Sequence, residues 1–265
     1  MKRKKDSGKN TKFAIIFFGI LIFIIFASLL YKTILLIGDS RFDGNHRFNV
    51  LVWDNKNIKV LSFSPEENII SVIRIQGERG GLDIYKFLEI PLDAHIITNN
   101  DNFNKDIKKL LLESVFGTVT TKSDLNIIDI IKLLLFKASV SEEKIVEKNI
   151  FTKLGEAERD EMIADIFEEK KIAQEKLSIE IVNSTDESGL GSRIARLITN
   201  IGGNVILVST SQKAEDKSMI FYKKEKTYTL KRLREILHFP IQENQHAIGD
   251  ITVRLGKDYN KIIHY

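Results

Sequence analysis

The sequence predicts a mixed α/β (α+β) protein: a single N-terminal transmembrane helix followed by two mixed α/β domains. Three observations carry this prediction: an uninterrupted apolar run near the N-terminus, three closely spaced β-rich runs after it, and a strand-helix-strand-strand-helix-strand order in the last third of the chain. At 265 residues, 43% hydrophobic and 29% charged, the chain has the composition of a folded protein and the length for one large or two small domains.

The first element is a basic tail, residues 1–12, in which Lys2, Arg3, Lys4, Lys5, Lys9 and Lys12 outnumber the single acid Asp6. It accounts for the formal net charge of +4, and the remainder is close to neutral. A nucleic-acid surface needs Lys and Arg clustered on the folded part, so no nucleic-acid partner is expected. Residues 13–31 (FAIIFFGILIFIIFASLLY) form the apolar run. A helix of that length spans about 28 Å, one hydrocarbon core. It has neither the polar face of a core helix nor the A-x-A-like site of a cleaved signal peptide. Positive charge precedes it and only Lys32 directly follows. The positive-inside rule therefore places the N-terminus in the cytoplasm and the bulk outside, with the lipid bilayer as the first expected partner.

Residues 32–153 make the first outer domain. Residues 33–37 (TILLI) read as a strand closed by the turn-prone Gly38-Asp39-Ser40. Phe48 to Trp53, Ile58 to Phe63 and Ile69 to Ile75 follow, separated by short polar connectors that favour an antiparallel meander. After Gly80-Gly81 the pattern turns helical at Leu82 to Leu88, Asn104 to Phe116 and Leu125 to Phe136, the last capped by Ser123 or Asp124. Residues 154–177 hold a charged connecting helix, about Gly155 to Lys176, with Met162, Ile163, Ile166 and Phe167 on one side and a solvated face on the other.

Residues 178–259 make the second domain: strand Ser178 to Val182, helix Gly189 to Ile201, strands Asn204 to Val208 and Ser218 to Phe221, helix Thr229 to Leu237, strand Asp250 to Leu255. This order predicts helices packed over one sheet.

Several chemistries are excluded. The chain has no cysteine, hence no disulfide, thiol nucleophile or Cys-ligated metal. Its five histidines lack short ligand spacing, so no histidine-based metal site is expected. Gly38-Asp39-Ser40 is similar to the first block of GDSL-type esterases, which would make Ser40 a nucleophile. Asp258 and His264 do not have the D-x-x-H spacing of that constellation, and a plain turn explains the same residues. Gly189-Leu190-Gly191 lacks the third glycine of a phosphate loop, where Ile194 stands, and Ser188 or Glu187 suffices to cap the helix. The loop Gly77-Glu78-Arg79-Gly80-Gly81 has the composition of a connector.

Three stretches, IEIVNSTDESGLGSRIARLI, IGGNVILV and GDITVRLGKDY, resemble the C-terminal domain of LytR-type envelope proteins. Upstream, ILLIGDSR, HRFNVLVW, VLSFSPEENIISVIRIQGE, LEIPLDAHII and LNIIDIIKLLLF resemble a shortened, divergent LytR-CpsA-Psr domain over residues 33–153. The resemblance implies a membrane-anchored phosphotransferase that moves a glycopolymer from a lipid pyrophosphate carrier to the cell wall, using arginines, an aspartate and a divalent cation such as Mg²⁺. It puts Asp39, Arg41 and Arg47 at catalytic positions and Arg74 and Arg79 near the ligand. The expected partners are a polyprenyl-phosphate lipid or a cell-wall polymer.

The sequence departs from this pattern. Asn49 stands where the resemblance expects the aspartate, and Gln76-Gly77-Glu78 replaces an arginine-bearing turn. Transfer from a pyrophosphate depends on cations that neutralise the developing charge. The expected role is therefore binding or scaffolding at the cell envelope. Active phosphotransfer with Mg²⁺ and hydrolysis through Ser40 are the alternatives.

Overall fold

The computed structural model describes residues 7–54, 56–77, 83–99, 103–104, 106–116, 121–224 and 227–259. A long helix, α1 (Ser7–Gly38), leads into two sheets. In the first domain the order is β1 (Phe48–Trp53), β2 (Ile58–Ser64), β3 (Ile69–Gln76), α2 (Ile84–Leu88), β4 (Ala94–Ile97), α3 (Ile107–Phe116), β5 (Lys122–Ser123), α4 (Ile127–Ser139) and β6 (Ile145–Phe151). Two helices, α5 (Glu156–Phe167) and α6 (Lys170–Glu175), cross to the second domain. That domain is β7 (Ser178–Asn183), α7 (Leu190–Asn200), β8 (Asn204–Thr210), β9 (Met219–Tyr222), α8 (Tyr228–Leu237), β10 (Ile241–Glu243) and β11 (Ile251–Leu255).

The mixed α/β class and the antiparallel β1-β2-β3 meander agree with the sequence reading. The six-stranded sheet has the order β5-β4-β1-β2-β3-β6, with β4 parallel to β1 and β6 parallel to β3. Its strands are apolar on both faces, which lets helices cover both. On one face Val50, Val52, Leu61 and Phe63 pack with Leu110 of α3 and Ile130 and Leu133 of α4. On the other, Leu51, Val60, Ile73 and Ile75 pack with Phe87 and Leu88 of α2 and Ile163, Ile166 and Phe167 of α5. The second sheet, β10-β9-β11-β7-β8, turns Ile179, Ile181, Ile251 and Val253 onto α7 and α8.

Five details differ from the sequence reading. Residues 33–37 are not a strand but the last turns of α1, because an established helix adds residues far more cheaply than a strand nucleates without a neighbour. The cap of α4 is Asn126, in a reciprocal capping box with Asp129. Ser123 and Asp124 are engaged elsewhere: Ser123 Oγ accepts from Leu125 N, and Asp124 holds Arg41 and His95. The charged connecting helix breaks at Glu168 and Glu169, and its apolar residues enter both cores, Ile163 and Phe167 the first and Ile172 the second. Gly189 caps α7 in the left-handed region (φ 81°) without a side-chain bond from Ser188 or Glu187. Finally β4, β5, β6 and β10 join as additional strands.

Buried polar bonds join the domains. Arg232 Nε donates to Glu169 Oε1 (2.8 Å), and Arg232 Nη2 donates to the Arg47 carbonyl (2.9 Å). Tyr228 Oη donates to Glu169 Oε2 (2.8 Å). At the other end of the junction Arg193 Nε donates to Glu89 Oε1 (3.1 Å), and Asn200 Nδ2 donates to the Glu89 carbonyl (2.9 Å).

Candidate functional site

Between these two sets of bonds lies a cleft of about 840 Å³, walled by both domains. The first domain contributes Ser40 and Arg41 just after α1, Asp43, His46, Arg47 and Phe48, Tyr85 of α2, Ile90 to Asp93, His95 of β4 and Asp124. The second contributes Leu197 of α7 and Lys231, Arg232, Arg234, Glu235, Ile236 and His238 of α8 and its end.

A linked polar chain runs along the first-domain wall. Asp124 Oδ1 accepts from His95 N (2.7 Å), and Asp124 Oδ2 meets His95 Nδ1 (3.3 Å) and accepts from Arg41 Nη1 (3.2 Å). Arg41 also donates to the carbonyls of Asp93 (2.7 Å) and Asp124. On the far side of the imidazole, His95 Nε2 lies 2.6 Å from Tyr85 Oη. The tautomer with Nδ1–H toward Asp124 leaves Nε2 to accept the Tyr85 hydroxyl, an arrangement in which the carboxylate orients the imidazole. Burial pushes the Asp124 carboxyl up, but the bonds from His95 and Arg41 outweigh it and hold the group well below the usual carboxylate range. Burial, with the carboxylates of Asp124 and Asp83, pushes the Tyr85 phenol up.

The sequence candidates fall in different places. Arg41 reaches the cleft but is held as described. Arg47 lines it with a buried guanidinium that donates to Ser62 Oγ (3.0 Å), Glu67 Oε2 (2.9 Å) and the Glu168 carbonyl (3.3 Å). Asp39 is exposed at the end of α1 and is not part of the cleft wall. Arg74 pairs with Glu147 (3.4 Å) outside the cleft. Arg79 lies outside the described residues, as do Glu78, Gly80 and Gly81 of its loop.

Ser40 is tied down rather than activated. Its hydroxyl donates to the buried Asp129 Oδ1 (2.8 Å) and accepts from Lys132 Nζ (2.9 Å), and no histidine among the described residues bonds it. Asp129 also accepts from Phe42 N (3.0 Å), so the group clamps the chain after α1 onto α4.

The residues present do not fit the divalent cation that the resemblance implies. Asn49 Nδ2 donates to the Pro91 carbonyl (2.9 Å), and Asn49 Oδ1 is buried without a hydrogen-bond partner. A carboxamide there supplies no charge, Asp39 stands apart, and no three His or acidic side chains converge to hold a metal among the described residues.

Tyr85, His95, Lys231, Arg234 and His238 were not evident from sequence. His95 and Tyr85 sit in separate elements, and the only signal was the break that His95 makes in an otherwise apolar strand. Lys231, Arg234 and His238 follow one another at helical spacing and read as an ordinary solvated face.

Residues 176–259 match the family model described as the LytR cell envelope-related transcriptional attenuator. The chain carries a LytR C-terminal domain. Its match begins two residues before the boundary expected from sequence, and it supplies all of the second wall of the cleft. Partial similarity extends to solved structures. The transcriptional regulator yvhJ of Bacillus subtilis is 12% identical, with a TM-score of 0.32 over 40% of this chain and 83% of that one. A transcriptional regulator of Enterococcus faecalis is 12% identical, with a TM-score of 0.31 over 40% and 76%. TagT of B. subtilis is 17% identical, with a TM-score of 0.28 over 43% and 81%. Likeness at this level identifies no shared site. No curated protein sequence matches the chain.

Proposed function

We propose that this is a membrane-anchored, extracytoplasmic protein of the cell envelope that binds a phosphate-bearing lipid or cell-wall polymer in the interdomain cleft without transferring it. The anchor is α1, whose Phe13–Lys32 segment has a mean hydropathy of 3.0 and no part buried against the domains. The LytR C-terminal domain supports a place at the envelope.

One observation carries the binding reading: the cations of the cleft divide into held and free. Arg47 and Arg232 are buried on carboxylates, and Arg41 is fixed on Asp124 and two carbonyls. Arg234, exposed on α8, has no ion pair among the described residues. Transition-state stabilisation needs several cations aimed at the developing charge, whereas recognition of an anion needs few. Arg234, with Lys231 and His238 beside it, is such a contact.

The test is titration of the full chain in nanodiscs with a poly(glycerol phosphate) probe. Arg234→Ala should weaken binding about ten-fold, the loss of about 1.5 kcal/mol from one charge-assisted bond. Equal affinity in the variant would remove Arg234 from the site. In parallel, a lipid-pyrophosphate glycan donor, a peptidoglycan acceptor and Mg²⁺ should give no turnover.

Active transfer is favoured by a single feature, the Tyr85-His95-Asp124 chain, in which a carboxylate orients a histidine that faces the cleft. Turnover by the parent that disappears in His95→Ala would replace the binding reading with the enzymatic one.

A further inference from the structure

Among the helices that flank the first sheet, α4 departs from the pattern of a surface helix, which turns polar residues outward. Ile127, Ile131 and Leu135, at i, i+4 and i+8, share one face and are 46%, 47% and 66% exposed, while Ile130 and Leu133 on the inward side are buried in the core. The charged side chains of α4 are spent within the fold. Asp129 is buried on Ser40 Oγ and Phe42 N, Lys132 Nζ donates to Ser40 Oγ and to the Phe42 carbonyl (2.9 Å each), and Lys137 pairs with Glu142. Outside α1, no other helix exposes three large apolar residues among the described residues. A helix that is apolar on its outer face as well as its inner one calls for cover on both.

The place of α4 in the fold points to its cover. The foot of α1 packs against α4, and Asp129 and Lys132 of α4 hold Ser40, two residues past the end of α1. Beyond the Phe13–Lys32 segment, apolar surface continues along α1 through Ile34 and Ile37, both more than half exposed, and so runs on toward the stripe of α4. A spanning helix whose apolar length exceeds the hydrocarbon core tilts, and spanning helices lean by about 20° on average. Tilt brings one side of an attached domain down to the headgroups. We propose that the α4 stripe is a membrane-contact face: Ile127, Ile131 and Leu135 enter the headgroup–acyl boundary of the bilayer that holds α1, and α4 lies along its surface. This inference rests on the reading of α1 as the anchor. A helix lying in the interface buries its apolar face about 5–10 Å deep, within reach of these side chains. The stripe covers eight residues of rise, about 12 Å. With α1 and α4 both seated in lipid, the first domain cannot swivel about α1, and the cleft wall that starts at Ser40 and Arg41 keeps one orientation to the membrane.

Because the chain has no cysteine, a fluorophore can be carried on one introduced thiol at a time. The full chain is placed singly in nanodiscs of phosphatidylcholine and phosphatidylglycerol, and quenching by lipids with a nitroxide at headgroup depth or deep in the acyl chain is compared with quenching by aqueous iodide. A label on Phe23→Cys, within α1, should respond to the deep nitroxide and reports the anchor alone. Labels on Ile127→Cys, Ile131→Cys and Leu135→Cys should respond to the shallow nitroxide at least about three-fold more strongly than one on Ile248→Cys, an exposed apolar residue of the second domain. Adding Ile131→Ser and Leu135→Ser to Ile127→Cys should cut its response by about half or more, since the apolar face that holds α4 in the interface is lost. Lipid quenching at position 23 with none along α4, or equal quenching at positions 131 and 248, would overturn the proposal and leave the anchor standing. No lipid quenching at position 23 or along α4 would remove both. Labels along α4 shielded from lipid and iodide alike would assign the stripe to contact within the protein and overturn the lipid assignment.

Discussion

Arg232 is buried at the domain junction, donating to Glu169 and to the Arg47 carbonyl, and its charge is balanced by Glu169 and Asp93. Removing one partner of such a pair strands the other in a desolvated site, which costs about 3–5 kcal/mol. Arg232→Ala should lose that much in denaturant unfolding, and Arg232→Met with Glu169→Leu should recover most of it. The acid response follows from Asp124, whose carboxyl is held below its ordinary value against the opposing effect of burial. A depressed folded value stabilises above the unfolded carboxylate range, about pH 4, and that contribution disappears as pH falls through the folded value. Stability should therefore drop less steeply below about pH 4 in Asp124→Asn than in the parent. Lys59 behaves oppositely. It is buried under Phe103, and burial together with Arg74 lowers its ammonium to about 8. Between about pH 8 and the unfolded value near 10.4 the unfolded chain binds the extra proton, so stability should rise with pH across that window and cease to rise in Lys59→Met.

At the scale of elements, α6 belongs to the second domain although the sequence reads it as part of a connector. Glu175 at its end accepts from Tyr228 N, Thr229 N and Thr229 Oγ1, all at 2.8 Å or less, and so caps the N-terminus of α8 with a carboxylate. Ile172 enters the same core. Residues 168–265 expressed alone should unfold cooperatively, and residues 178–265 should be less stable by about 2 kcal/mol or more, from the lost cap and the lost apolar contact. Coincident denaturation curves would refute this assignment of α6. The strands of the meander and the β-α-β-β-α-β order were legible because alternation, turn residues and apolar runs coincide there. β6 was not, because Ile145-Val-Glu-Lys-Asn-Ile-Phe151 has an outward face as polar as a loop. The 33–37 run was misread because β-branched residues serve a helix end once the helix is already formed.

For the molecule as a whole, the N-terminal apolar helix and the mixed α/β class could be read in sequence, while the cleft could not. Its wall takes residues from α2, β4, the stretch after α1 and α8, which only the tertiary fold brings together. Arg47 illustrates the limit: the resemblance put it at a catalytic position, and in the fold its guanidinium is occupied by Glu67 and Ser62. The orientation argument remains open to direct measurement. A reporter active only outside the cytoplasm, fused after Tyr265, should be on, and a signal from a cytoplasm-only reporter would reverse the topology.

The clamp formed by Ser40, Asp129 and Lys132 has a mechanical consequence. The helix runs without interruption past Lys32 to Gly38, and two residues later the backbone is gripped by α4. Six residues of helical rise separate Lys32 from Gly38, about 9 Å. In the anchored protein proposed above, the cleft wall that begins at Ser40 and Arg41 would therefore stand at a set height just above the headgroups, on a stiff post instead of a leash. A ligand still attached to a lipid would need to rise only that far to be reached.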